Sequence, residues 1–252
     1  MNVKYFLWFL ACLPLLSQAQ TQFLSGDQQT TLVELYTSEG CSSCPPADRW
    51  YSRLREHPDL WQSVIPIAFH VDYWNYLGWP DRFSDRSYSS RQRKYRSQGS
   101  ASGVYTPGVF AAGREWRGWR RAGLNVPTTG QSVGTLSLSV DSQAFNAEYT
   151  PAAAEQTPPM QLHVVVLGFG LETPVKRGEN RGEFLRHDFV VLGHTVYRGD
   201  GSRWEGDLPD AALAHEAEQL AVAAWITTAG KQQPLQAVGG WLPEQRASIE
   251  RH

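Results

Sequence analysis

Cys41 and Cys44 enclose Ser42 and Ser43, and the only other cysteine in the chain is Cys12, close to the amino terminus. Two thiols at this spacing can close a disulfide, exchange it with another protein, or hold a soft metal ion. As a staple the bridge would achieve little, because a disulfide's effect on the unfolded chain grows with the loop it closes. Exchange chemistry is the stronger reading: Cys41 as the outward nucleophile, Cys44 as the resolving thiol. Backbone N–H groups at a following helix start would favour the thiolate of Cys41. Glu39, two residues before it, would oppose that; Pro45-Pro46 can occupy the first helical turn, but their bias on Cys44 and Pro45 could also start the helix later. Three further residues are candidates for supporting roles. Glu34 lies in a strand-like run before the cysteines, as a buried carboxylate to move protons for Cys44 or as a salt-bridged glutamate. His70 and Asp72 alternate along a second strand and could pair near the sulfurs, or serve as a structural histidine and a turn-forming aspartate.

The elements that must position these residues follow from periodicity. Residues 29–36 read as a buried strand, and Ala47, Trp50, Tyr51 and Leu54 share one face of a helix that Pro58 ends. Residues 64–72 form a second apolar run, so the unit reads as parallel βαβ. In residues 84–98, rich in arginine and serine, Tyr88 and Tyr95 would share a helical face, with the arginines read as its solvated side. Residues 109–111 and 116–119, joined by Ala112-Gly113, read as a hairpin. Thr106-Pro107 stands just before it, where a cis bond would face the cysteine pair and bind substrate. This order of elements is that of a thioredoxin fold. Tyr73, Trp74, Tyr76 and Trp79 crowd one loop, as a hydrophobic lid or a docking surface.

Four stretches also resemble the bacterial exported proteins of the domain of unknown function 1223 family. They are Leu35-Tyr36-Thr37-Ser38-Glu39-Gly40-Cys41-Ser42-Ser43-Cys44-Pro45-Pro46-Ala47-Asp48, His70-Val71-Asp72-Tyr73-Trp74-Asn75-Tyr76-Leu77-Gly78-Trp79, Tyr105-Thr106-Pro107, and Gly178-Glu179-Asn180-Arg181-Gly182. The resemblance implies a thioredoxin-like domain and assigns no activity. Gly108 departs from it, where a larger polar residue is expected after the proline.

Beyond residue 134 the composition shifts to short alternating runs, with glycine- and proline-rich turns between them. Residues 136–140, 162–166, 184–196, 222–228 and 235–242 read as strands, residues 211–220 as an alanine-rich helix, and residues 178–182 as a tight turn with Asn180 and glycine at positive φ. The expected architecture is therefore an α/β thioredoxin-like domain (residues 28–128) followed by a mainly β, sandwich-like domain (residues 134–245). Residues 1–19 read as a cleaved signal peptide, with Lys4, a short apolar run and Ser17-Gln18-Ala19; Cys12 could alternatively mark a lipoprotein site. Export would place the protein in the periplasm or outside the cell, with no membrane span after cleavage. A net charge of -2 over 252 residues gives no basic balance for nucleic acid. No cofactor is called for. The functional expectation is thiol–disulfide exchange with protein thiols or a redox partner. The alternatives are a Cu(I)-binding protein or metallochaperone using the same cysteines, perhaps with His70, and a non-catalytic binding module.

Overall fold

The computed structural model describes residues 20–153, 158–199 and 201–243. The leader expected at residues 1–19, with Cys12, lies outside them. In chain order the elements are β1 (Thr21–Leu24), β2 (Thr31–Thr37), α1 (Pro45–Ser52), β3 (Val64–His70), α2 (Arg86–Ser97), β4 (Gly108–Ala111), β5 (Arg114–Glu115), β6 (Gly134–Asp141), β7 (Ala144–Pro151), β8 (Met160–Phe169), β9 (Leu171–Pro174), β10 (Phe184–His187), β11 (Val190–Arg198), β12 (Arg203–Asp207), β13 (Gln219–Thr228) and β14 (Pro234–Trp241).

The expected α/β thioredoxin-like domain followed by a sandwich-like domain is not the architecture observed. The chain is mainly β, with two α-helices among the described residues. Its largest sheet takes strands from both halves of the sequence, in the order β14-β13-β8-β11-β3-β2-β4-β5. The seam is β11 beside β3, running parallel at Val190 and Ala68, with the Ala68 amide donating to the Phe189 carbonyl at 2.8 Å. Hydrogen bonding thus continues from the first-half strands into the second half, where a free-standing helix-flanked sheet would have presented an edge.

Every residue of β2 and β3 is buried, because helices and loops cover both faces of this part of the sheet. Val33, Leu35 and Thr37 turn toward α1; Glu34 and Tyr36 turn toward α2, as a period of two requires. Tyr51 of α1 donates to the carbonyls of Val33 and Ile67, fastening the helix across the β2–β3 pair. A separate sheet, β1-β6-β7-β12, which adds β1 from the start of the chain to three second-half strands, buries Leu136, Leu138, Phe145 and Tyr149 against Leu162, Val164, Val222 and Ile226. β9 and β10 form a two-stranded hairpin whose connection, residues 175–183, reaches the cysteines.

Two local expectations are also corrected. Residues 211–220 hold a single 3-10 turn, Ala214–Glu216, and β13 begins at Gln219. After β5 the chain leaves the hairpin, and Gly118–Arg120 is a 3-10 turn in place of a strand. Among the described residues no helix is long and apolar enough to cross a membrane.

Candidate functional site around the Cys41–Cys44 disulfide

Cys41 and Cys44 are joined in a disulfide with their Cα atoms 5.4 Å apart. The turn from β2 places them: the Cys41 amide donates to the Ser38 carbonyl and the Cys44 amide to the Cys41 carbonyl, both at 3.1 Å. Helix α1 begins directly after the pair. Cys44 is its N-cap, in right-handed helical geometry, and its carbonyl accepts from Ala47 and Asp48. The two prolines fill the first helical turn, the first of the two readings of them, and the helix is not delayed.

The Thr106–Pro107 bond is cis. The pairing of Tyr36 with Gly108 sets Pro107 level with Thr37, at the end of β2 where the turn to the cysteines begins. Trp74 joins the two parts: its indole N–H donates to Thr106 Oγ1 at 2.7 Å, and its Cβ would lie 3.1 Å from a Cβ placed on Gly40. The departure at Gly108 has a local reason, since a side chain there would press on Gln92 Nε2 and the Tyr105 carbonyl, each 3.0 Å away.

Both cysteines are enclosed, Cys41 at 1% exposure and Cys44 at 0%, while Ser42 and Ser43 are exposed. The connection between β9 and β10 is bonded to their turn. Asn180 Nδ2 donates to the carbonyls of Glu39 and Cys41 at 2.8 and 3.0 Å. The Glu179 carboxylate accepts from the amide and hydroxyl of Ser42 at 3.1 and 2.7 Å, bonds that hold its pKa below the usual glutamate range. Sequence reasoning took this segment for a turn and missed its reach. The available hints were a donor-bearing Asn between two glycines and the segment's place among the four stretches that carry the family resemblance.

No hydrogen bond or ion pair joins Glu34, His70 or Asp72 to the sulfurs; each has other partners. Glu34 is buried on the α2 face of β2, the opposite face from the helix that carries Cys44. It accepts from Arg91 at 2.8 and 3.1 Å, from Tyr36 at 2.9 Å, and from Tyr95. Arg91 also donates to Gln232 in the β13–β14 connection, so this ion pair ties α2 to the second half of the chain. Arg91 was expected on a solvated face and is buried instead. Asp72 accepts from Ser89 Oγ at the end of β3 and makes no pair with His70.

His70 pairs with Asp81, Nδ1 to Oδ2 at 2.7 Å. Burial pushes the imidazole pKa down, but Asp81 outweighs it and leaves it raised; Asp81 is in turn held low by His70 against its own burial. Around them lies a group that sequence reasoning did not assemble: Asp48, His187 and Glu39. Asp48 accepts from Thr37 through Oδ1 at 2.7 Å. Its Oδ2, Glu39 Oε1, His70 Nε2 and His187 Nε2 are buried with no hydrogen-bond partner among the described residues. His187 Nε2 and Glu39 Oε1 come within 3.5 Å, without hydrogen-bond geometry. The space bordered by Thr37, Asp48, His70 and His187 has no room for a water molecule. Burial accordingly raises the Asp48 pKa, with His187 pulling the other way. Among the described residues, no set of three or more His, Cys, Asp or Glu side chains is arranged to hold a metal ion.

A family model described as a protein of unknown function, DUF1223, matches residues 32–227. The chain belongs to this family. No curated protein matches it in sequence. Solved structures similar to it include two that follow its fold over most of its length. The crystal structure of protein AGR_C_4864 from Agrobacterium tumefaciens is 26% identical with a TM-score of 0.55, covering 90% of this chain and all of that one. HBP35 of Porphyromonas gingivalis is 12% identical with a TM-score of 0.51, covering 90% of this chain and 80% of that one, a likeness of fold alone.

Proposed function

We propose that this protein is an exported thiol–disulfide oxidoreductase acting through Cys41 and Cys44 on protein thiols or disulfides, or on a redox partner protein. The observation that carries this reading is the disulfide at the β2–α1 junction, with Cys44 as the helix N-cap and Trp74 linking its turn to Thr106 beside a cis proline. A substrate thiolate attacks Cys41 Sγ, forms a mixed disulfide and releases Cys44 as a thiolate, which takes up a proton. A second substrate thiolate then attacks the mixed disulfide at the substrate sulfur and expels Cys41 as a thiolate, which also takes up a proton. The substrate leaves as a disulfide, and the Cys41/Cys44 pair is left as a dithiol holding the two electrons. The reverse sequence reduces a substrate disulfide.

In this reading Asp48 exchanges the Cys44 proton. It lies one helical turn after Cys44, and helical side chains lean toward the amino-terminal turn. Glu34, on the other sheet face and neutralised by Arg91, is not so placed. In this reading the 175–183 connection lifts before a substrate reaches the enclosed Cys41 sulfur. The Asn180 and Glu179 hydrogen bonds tie it to the cysteine turn. Nothing favours the Cu(I) reading over exchange.

The test is to equilibrate the Cys41/Cys44 couple with glutathione redox buffers and to assay turnover of a disulfide-linked peptide, with and without Cu(I). A measurable potential together with peptide turnover supports exchange. A couple that stays oxidised in every buffer and never turns over peptide refutes it, and one-to-one Cu(I) uptake by the reduced protein would favour the metallochaperone reading.

A further inference from the structure

Of the arginines among the described residues, six face a carboxylate and the others, Arg53 and Arg120 among them, do not. Arg55, Arg82, Arg91, Arg117, Arg186 and Arg203 each face a carboxylate within 4.0 Å. Arg53 and Arg120 are exposed and make no such pair among the described residues; Arg120 lies over the ring of Trp119 at 5.2 Å. Both line one groove of about 370 Å3, together with Ser43, Pro46, Trp50 and Trp119. Ser43, Pro46, Trp50 and Arg53 recur along α1 and the 3-10 turn after it at helical spacing, so they form one wall. The turn Gly118–Arg120 forms the other. The groove starts inside the C-x-x-C motif itself, since Ser43 Oγ lies 3.4 Å from Cys41 Sγ.

Its chemistry is specific: an apolar floor of tryptophan and proline under two guanidinium groups with no internal counter-charge. Among the nearby acids, Asp48 is buried beneath α1 and Glu56 makes no ion pair with Arg53, while Glu179 holds its negative charge at Ser42, at the cysteine end of the groove. The chain as a whole carries a net charge of -2, so the positive character belongs to this face and not to the molecule.

We infer that this groove docks an acidic peptide segment of the partner protein, placing a large apolar side chain on Trp50 and Trp119 and its carboxylates on Arg53 and Arg120, beside the cysteine that exchanges with Cys41. The inference rests on the exchange reading for its purpose, but the docking is measurable without it. Charged groups flanking an apolar contact steer encounter and set partner choice more than they set affinity.

The experiment uses the oxidised full chain and fluorescently labelled peptides lacking cysteine, in acidic, neutral and basic versions of one sequence. The acidic peptide is expected to bind roughly tenfold more tightly than the neutral one at low salt. That gap should close at ~0.5 M salt and in Arg53→Ala/Arg120→Ala. In Arg53→Glu/Arg120→Glu the preference should pass to the basic peptide. Equal binding of all three peptides, or a preference that survives both double variants, overturns the inference. So does binding of phosphatidylglycerol vesicles that depends on Arg53 and Arg120 when the acidic peptide does not bind. Disulfide-linked versions of the same peptides separate the two readings. Exchange without charge preference overturns the docking and keeps the chemistry. Acidic binding without any exchange supports the docking and removes the chemistry.

Discussion

Replacing Asn180 with alanine should open the way to the disulfide while leaving the rest of the fold in place. The side chain is 5% exposed and makes two hydrogen bonds, to the carbonyls of Glu39 at 2.8 Å and Cys41 at 3.0 Å. Each neutral bond of this kind is worth about 0.5–1.5 kcal/mol net, so the closed position loses about 1–3 kcal/mol. In the lifted position water satisfies the same carbonyls, and the loss is confined to the closed state. The equilibrium constant for lifting the 175–183 connection then rises by about 5- to 150-fold, at 1.4 kcal/mol for each factor of ten.

The assay is the rate at which excess small dithiol reduces the Cys41–Cys44 bridge, followed by alkylation and mass measurement. When lifting is fast compared with attack, the observed rate is the intrinsic rate multiplied by the lifting constant, so the full factor appears. Reduction in denaturant gives the intrinsic rate, and the thermal midpoint reports whether the fold survives. Ser42→Ala removes one of the exposed bonds to Glu179 and should change the rate far less, because exposed charged contacts are weak. A folded Asn180→Ala protein reduced within about twofold of the parent rate lies outside the range the two hydrogen bonds allow. It would show that Cys41 is reached by a path this connection does not cover.

Arg91→Ala should strip the buried Glu34 carboxylate of its counter-ion and cost about 3–5 kcal/mol in urea denaturation; a loss under about 1 kcal/mol would contradict the arrangement. Asp48→Asn should stabilise the protein above the raised folded pKa of Asp48, where the parent must keep a buried charge. The gain should vanish as pH falls below the ordinary carboxylate range, as parallel urea curves would show. The same variant should remove an ionisation from the pH profile of exchange, and an unchanged profile would exclude Asp48 from proton transfer. His163 and His194 are buried, with pKa values pushed down by burial and by Arg91, that of His194 to about 3. The unfolded chain then binds protons that the folded one does not, and stability falls as pH drops below the ordinary histidine value. The slope is about 1.4 kcal/mol per pH unit for each histidine, and a stability flat from neutrality down to about pH 5 would refute this.

The sequence made the local elements around the cysteines legible because their signals are short-range. Tyr88 and Tyr95, seven apart, are both buried on α2, and Trp50, Tyr51 and Leu54 are buried on α1 and the turn after it, as the helical period indicated. The failures have a common cause, which is that burial in this chain is decided by partners distant in sequence. Arginines in a polar helix read as solvated until Glu34, 57 positions away, is known to face one of them. A strand such as β3 reads the same whether its second edge is free or paired, and only Val190 settles that it is paired. Alanine-rich sequence at residues 211–220 suggested a helix because intrinsic propensity is a weak prior, overridden when a neighbouring segment becomes an interior strand of a large sheet.

The segment bonded to the cysteine turn shows the limit most sharply. Gly178 and Gly182 do take positive φ, at 77° and 90°, as a turn demands, but Asn180 is not among the positive-φ residues. An asparagine in such a turn usually draws attention for the backbone shape it tolerates. Here its amide is spent elsewhere, on two carbonyls 139 and 141 positions earlier in the chain. A turn read from its glycines alone would keep its shape in Asn180→Ala and lose its hold on Cys41, so that substitution separates local conformation from contact.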